Sequence, residues 1–319
     1  MTTLVTGAGG FVGAALCASL LGDGHRVVAI VRPGEESWRL RDPSLAGLGV
    51  LRFDIGSELF RAFVAHLRPE RIFHLAAHGA YSWQTDAPSI VATNLTATIQ
   101  FADAVAQGGA CEAFVHTGSS SEYGFKDEPH HEADRIEPNS VYAVTKAAAT
   151  NYLAHLRRTK ALPALTARLF SIYGPFEDRS RLIPQVVMQA LSGQLPPFAS
   201  PEIARDFVYI DDAVNCLRAA SDALATGRET GEIVNVSSGV ELTLRDVATA
   251  AQAMFPDVAP PTWGSYEARS WDTNKWCGDP SHTKQRIGWS ATTAFGDGLK
   301  RFADWIQSDE LRSTYYRQS

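Results

Sequence analysis

The stretch Gly7-Ala8-Gly9-Gly10-Phe11-Val12-Gly13, GAGGFVG, lies between a β-branched run, TLVTG (3–7), and a helical run that begins AALCASLLGDG at residue 14. Its glycines at 7, 10 and 13 meet three demands: a tight turn, close approach of backbone to a pyrophosphate, and close packing of a helix on a strand. The helix start that follows offers amide donors and the positive end of a dipole to an anion. A glycine triplet alone carries little. Strand, turn and helix in that order predict a nucleotide-binding βαβ unit, with Gly7, Gly10, Phe11, Val12 and Gly13 as cofactor contacts.

Further strand candidates follow at RVVAIVR (26–32), VLRFD (50–54), RIFHLAA (71–77), AFVHTGS (113–119) and ALTARLF (164–170), and the segments between them are long enough for crossover helices. This rhythm predicts an α/β fold, a Rossmann-type doubly wound parallel sheet. The apolar runs 27–31 and 72–77 lack alternation, as expected of strands buried on both faces. Beyond residue 170 the pattern changes: prolines at 175, 184, 196, 197 and 201 punctuate the chain, and a second cluster occupies 256–261. Between them RDFVYIDDAVNCLRAASDAL (205–224) and GEIVNVSSG (231–239) read as a returning helix and strand. The expected organisation is a nucleotide-binding domain of residues 1–169 and 207–238, with a smaller substrate-binding lobe of 170–206 and 239–319.

The 319 residues carry a net charge of −6, which gives no electrostatic reason to expect nucleic acid or an anionic membrane as partner. Any bound anion must be held by local groups. Cys17, Cys111, Cys216 and Cys277 are too dispersed for a disulfide framework or a zinc cluster, so no metal is expected. No apolar run reaches the roughly 18 residues of a membrane span, and no leader pattern is present, so a cytoplasmic location is expected.

The second strand should end at the adenosine ribose, where an acid favours NAD. The chain reads Val31-Arg32-Pro33 there, without a carboxylate, and Arg32 suits a 2′-phosphate. NADP(H) is therefore favoured over NAD(H), with Arg39 as a candidate second contact on the same loop.

Ser140-Val141-Tyr142-Ala143-Val144-Thr145-Lys146 opens another helical run. Tyr142 and Lys146, four apart, share one helix face. An ammonium beside a phenol stabilises the phenolate and makes Tyr142 a usable acid/base. Combined with GAGGFVG, HLAA (74–77), Asn94 and the serine cluster GSSSEYG (118–124), this helix resembles the extended short-chain dehydrogenase/reductase superfamily. More narrowly, the chain is similar to the branch of nucleotide-sugar epimerases, dehydratases and 4-ketoreductases. Ala204-Arg205-Asp206-Phe207-Val208-Tyr209-Ile210-Asp211-Asp212 matches that branch's R-D-F-V-x-V-x-D signature, and Arg269, Asp272, Asp279 and Ile287-Gly288-Trp289 match its ending.

The resemblance implies that Ser119 hydrogen-bonds the reacting oxygen, that Tyr142 exchanges the proton, and that Lys146 holds the nicotinamide ribose. It implies cofactor contacts at Asp54, Ile55, Leu75, Ala76, Ala77 and Asn94. It also implies a nucleotide-diphosphate sugar as substrate, its diphosphate held by Arg205 and Arg269, with Asp272, Ser120 and Ser171 also in the substrate site; Tyr81, Ser82 and Gln84, after the fourth strand where open α/β sheets bind ligands, are candidate sugar contacts. Many members of the branch carry Asn where this chain has Ser171.

A 4,6-dehydratase needs an Asp-Glu pair after the catalytic serine, and Ser120 and Ser121 stand in those places. Glu122, one residue later on an extended segment, points to the other face and is expected to brace the loop. The leading expectation is an NADPH-dependent reductase of a nucleotide-activated 4-keto-6-deoxyhexose, the alternative an NAD-dependent nucleotide-sugar 4-epimerase, and the least favoured a non-catalytic NADP-binding sensor. His74 reads as a satisfied core histidine, and His130 and His131 read as solvent-facing. The stretches 88–107 and 143–158 correspond to those that pair in many family dimers, so a homodimer is expected.

Overall fold

The computed structural model describes residues 1–81, 83–228, 231–264 and 275–317. Seven parallel strands form its central sheet: β1 (Thr2–Thr6), β2 (Arg26–Val31), β3 (Gly49–Arg52), β4 (Arg71–His74), β5 (Ala113–Ser119), β6 (Ala164–Leu169) and β7 (Ile233–Val236). Their spatial order is β7-β6-β5-β4-β1-β2-β3. Each expected strand is present, but β3, β4 and β6 stop one to three residues before the apolar run does. Those carboxyl ends open into loops, where backbone groups turn away from the ladder. The order reverses between β1 and β4, the switch point at which open α/β sheets leave a crevice for ligands.

Helix α1 (Phe11–Gly22) follows the glycine turn, and α2 (Glu58–Leu67) leads from β3 to β4. Between β4 and β5, α3 (Ala87–Val91) continues through one π turn (Ala92–Thr96) into α4 (Ala97–Gly108). The long α5 (Val141–Lys160) connects β5 to β6. The expected returning helix begins later than its polar-apolar pattern suggested. Residues 207–209 instead pair in parallel with 171–173, and α6 starts at Ile210 and ends at Ala225.

Two apolar cores flank the sheet. One, around Leu4, Phe60, Ile72, Phe101 and Phe114, packs α2, α4 and α5 on one face. The other runs from Val5, Leu16 and Phe73 through Leu217 to Leu299 and Phe302, and so joins the sheet to the C-terminal helices. Two signature acids hold this joint. Asp206, fully buried, accepts from the Ser238 N–H (2.8 Å), the Gly239 N–H (3.0 Å) and the Gly278 N–H (3.2 Å). Asp212 accepts from the Thr293 N–H at 2.8 Å and the Thr292 hydroxyl at 3.0 Å. No helix among the described residues is long and apolar enough to cross a membrane.

Candidate active site

A cleft of about 820 Å³ opens beyond the carboxyl ends of β4 and β5. Tyr81, Tyr142, Ser171 and Arg205, from four separate stretches of sequence, all line it. Arg205 is half-buried and donates to the Ala204 carbonyl at 2.8 Å. Tyr81 stacks on Trp83 with centroids 4.6 Å apart. Arg269 and Asp272 lie outside the described residues, as does Ser82.

Tyr142 is the second residue of α5, whose start is capped by the Ser140 hydroxyl accepting from the Ala143 N–H at 3.1 Å. Burial, reinforced by the Glu122 carboxylate, pushes its phenol up to about 12, and the nearby Ser119 side chain and Arg181 only partly offset this. Lys146, one turn on and 2% exposed, is brought down to about 8, chiefly by burial. The expected lowering of Tyr142 by Lys146 does not appear: burial dominates and holds the phenol above its ordinary value.

The serine cluster resolves differently from its reading as an extended segment. β5 ends at Ser119, and Ser120–Glu122 form a 3-10 turn. The turn brings Ser121 to the cleft, its hydroxyl 2.8 Å from Ser119 Oγ, and buries Ser120. Ser121, not the expected Ser120, is therefore the serine of the cluster that lines the cleft. Glu122 points inward, as expected. Its carboxylate accepts from the Ser119 N–H (2.9 Å), the Thr150 hydroxyl (3.0 Å) and Arg168 Nε (3.0 Å), and the ion pair is wholly buried.

The cofactor end fits a dinucleotide. Gly7 has φ +70°, and a Cβ there would lie 2.7 Å from the Ala76 N. A Cβ on Gly13 would collide with the Gly7 carbonyl. Both positions need glycine for closeness of backbone to backbone. α1 starts at Gly10 without a side-chain cap, so its first-turn amides face outward unshared by any capping side chain, as an anion site requires. Leu75, Ala76 and Ala77 follow β4 beside this turn. Asp54 and Ile55 follow β3, where Asp54 accepts from the Gly56 N–H at 2.9 Å. Asn94 sits in the π turn and spends its amide on the protein, bonding His78 N–H and carbonyl (both 2.8 Å) and Thr145 Oγ1 (3.1 Å). It thereby ties the loop after β4, at His78, to α5.

Two expectations at the ribose end need correction. A carboxylate is present: the 32–35 turn folds back so that Glu35 lies against Gly9 and 3.4 Å from Arg32 Nε. Arg32 is thereby partly neutralised. Arg39 turns inward, buried, and donates to the Phe176 carbonyl at 2.6 Å.

The histidines also divide. His74 is a satisfied core residue, bonded to Thr6 (2.7 Å) and Thr98 (2.9 Å). His130, expected at the surface, is 1% exposed and stacks on Tyr123 at 4.8 Å, because its backbone pairs with Cys277 and Asp279 and draws the ring inward.

Glu177, in the cleft wall, was not legible from spacing. It follows the Gly174-Pro175 turn, is 5% exposed, and its Oε2 has no partner. Arg181 Nε is 3.9 Å from Oε1. Burial outweighs Arg181 and raises the carboxyl from 4.5 to about 8. The folded chain keeps a proton that the unfolded one releases, so this group's stabilising share is full below about pH 4.5 and is lost as pH rises to about 8. Glu177→Gln is expected to flatten that slope and to be more stable than the parent at about pH 9, by roughly 1–3 kcal/mol. Thermal unfolding at about pH 5 and pH 9 checks this, and equal slopes in the two proteins would refute it.

This geometry has counterparts among known proteins. A sequence profile of the NAD dependent epimerase/dehydratase family matches residues 3–237. The chain is 28% identical to UDP-glucose 4-epimerase of Mycolicibacterium smegmatis, over 97% of this chain and 99% of that protein. It is 26% identical to dTDP-glucose 4,6-dehydratase of Xanthomonas campestris pv. campestris, over 97% and 94%. Among solved structures, UDP-glucuronic acid 4-epimerase from Bacillus cereus, in complex with UDP-glucuronic acid and NAD, superposes with a TM-score of 0.84 at 25% identity, covering 97% and 99% of the two chains.

Proposed function

The chain belongs to the NAD dependent epimerase/dehydratase family, and from that premise we propose that it is an NAD-dependent 4-epimerase acting on a nucleotide-diphosphate hexose. The observation that carries the choice over a reductase is Glu35. A 2′-phosphate beside Arg32 would meet its carboxylate, whereas a free ribose hydroxyl can donate to it. The proposal replaces the NADPH-dependent ketoreductase expectation, which rested on the Ser119, Tyr142 and Lys146 set without dehydratase acids and on Arg32 in place of a ribose-binding acid. A dehydratase is disfavoured because, among the described lining of the cleft, Glu177 is the single carboxyl.

NAD, when bound, supplies a hydride acceptor that returns the hydride, and its positive ring favours ionisation of a nearby phenol. Tyr142 takes the 4-hydroxyl proton as the hydroxyl becomes a ketone and returns it after the sugar has turned. Ser119 and Ser121 hold the C4 oxygen during both steps. Lys146 orients the nicotinamide ribose and, near 8, can share the proton load with Tyr142. Arg205 binds the diphosphate. Two copies pair through α4 and α5.

The test is incubation with UDP-, dTDP-, CDP- and GDP-hexoses, with chromatographic separation of C4 epimers and identification of the nucleotide released on denaturation. The expected result is interconversion of one epimer pair, no net change in reduced cofactor, and release of NAD. Stoichiometric consumption of NADPH by a 4-keto-6-deoxy sugar nucleotide, with no epimerisation, would restore the reductase reading.

A further inference from the structure

Away from the cleft, the fold joins two histidines and a glutamate that the sequence holds far apart. His131 and Glu132 lie in the loop between β5 and α5, and His282 is the second residue of the short helix Ser281–Ile287. One donor atom from each lies within 4.8 Å of the others. We propose that His131, Glu132 and His282 form a binding site for a divalent transition ion of the zinc class, a structural clip between the β5–α5 loop and the C-terminal segment.

Four observations support it. The donor set is two imidazoles and a carboxylate, which suits Zn²⁺ and its neighbours better than Mg²⁺ or Ca²⁺. Bonds of about 2.0–2.2 Å to one ion require donors roughly 3.3 Å apart, a contraction that small side-chain rotations supply. The carboxylate is already oriented: Glu132 Oε1 accepts from the Asn235 N–H at 2.7 Å and from the Thr283 hydroxyl at 3.0 Å. Its other oxygen, Oε2, is buried and has no hydrogen-bond partner, an acceptor that lacks a donor or a cation. Finally, the frame is tied on both sides, since the His130 N–H donates to the Cys277 carbonyl and the Asp279 N–H to the His130 carbonyl, each at 2.9 Å.

The surroundings carry both signs. Glu232 Oε2 lies 3.5 Å from His282 Nε2, a second carboxylate within reach of the same imidazole, and Arg286 lies 3.5 Å from Glu232 Oε1. The three residues border a separate hollow of about 370 Å³, so an ion can enter without passing through the substrate cleft; Arg157 and Arg158 also border the hollow. His131 Nδ1 accepts from the Ala133 N–H at 3.1 Å, a weak local bond that a metal can displace. None of the three donors lines the cleft, and the clip reaches the serine loop through Asn235, whose Oδ1 accepts from the Tyr123 hydroxyl at 2.7 Å, and through the His130 ring stacked on Tyr123. Its role is therefore to stiffen, not to catalyse.

The experiment uses the untagged full chain, stripped with a chelator and titrated with ZnCl₂ or CoCl₂ alone. One Zn²⁺ per chain is expected to survive gel filtration, with a rise in melting temperature of several degrees and, for Co²⁺, the visible absorption of a four-coordinate ion. His131→Ala and His282→Ala should each weaken binding at least tenfold. His282→Gln serves as a milder variant, and its chelator-treated form should melt with the chelated parent, which separates metal loss from misfolding. His78→Ala, a histidine outside the cluster, should bind normally. No retained metal and no Co²⁺ band would overturn the proposal, as would undiminished binding in the His131/His282 double variant.

Discussion

Replacing Tyr142 by Phe is expected to lower turnover about a thousandfold while leaving nucleotide-sugar affinity within a fewfold of the parent. In the proposed reaction the phenol, at the cleft wall, carries the proton. Without the hydroxyl, oxidation at C4 loses its positioned proton acceptor. Positioned acid/base groups contribute about 10²–10⁴ in rate, and the lower end applies if Ser121 or Ser119 passes the proton onward. Ser119→Ala should cost less, because Ser121 Oγ stands 2.8 Å away and can take over part of the hydrogen bond. Steady-state kinetics with cofactor content measured in parallel distinguishes the outcomes: a loss smaller than tenfold in Tyr142→Phe would remove Tyr142 from the proton path, and a loss explained by missing cofactor would assign it to binding.

The second large effect lies in the buried pair beneath the serine loop. Arg168 and Glu122 are 2% and 0% exposed, 3.0 Å apart, and Arg168 also covers the Tyr123 ring at 4.3 Å. Two desolvated charges of this kind repay their burial only through each other, so removal of one leaves the other stranded. Arg168→Met should lose about 3–5 kcal/mol of stability. Glu122→Ala should lose at least as much, since the Ser119 N–H and Thr150 hydroxyl also lose their acceptor. The double variant Glu122→Gln, Arg168→Met keeps hydrogen-bonding capacity without either charge and should recover most of the loss. Denaturant unfolding of the three proteins decides the matter: a single-variant loss below about 1 kcal/mol, or simple additivity in the double, would show that the pair is not coupled. Because Glu122 grips the Ser119 amide, the single variants should also lose activity beyond what their stability explains.

What could be read along the chain was what local geometry encodes. The glycine turn, the β-branched runs and the four-residue spacing of Tyr142 and Lys146 each report a backbone period or a steric demand within one element, and each reappears in place. Glu122 was anticipated as a brace, but by an alternation that the 3-10 turn does not follow, and its partners Thr150 and Arg168 were not legible. Errors arose where the chain left regular structure. The 3-10 turn after Ser119 turned Ser121 rather than Ser120 to the cleft, and a turn at 32–35 brought Glu35 back to Arg32 where the sequence was read only as the end of a strand.

The remaining features depend on contacts between distant segments. Whether a carboxyl such as Glu177 ends buried in a cleft wall, or a histidine such as His130 stacks beneath a tyrosine, is set by which surfaces pack together, and composition and periodicity carry no record of that. His131 and His282 make the point most plainly. Each looks like an ordinary polar residue in its own stretch, and only the pairing of the His130 backbone with the 277–279 segment brings them to one place. Short-range sterics settled the fold and the order of the catalytic elements; long-range packing settled which polar groups were left buried, unpaired and therefore chemically available.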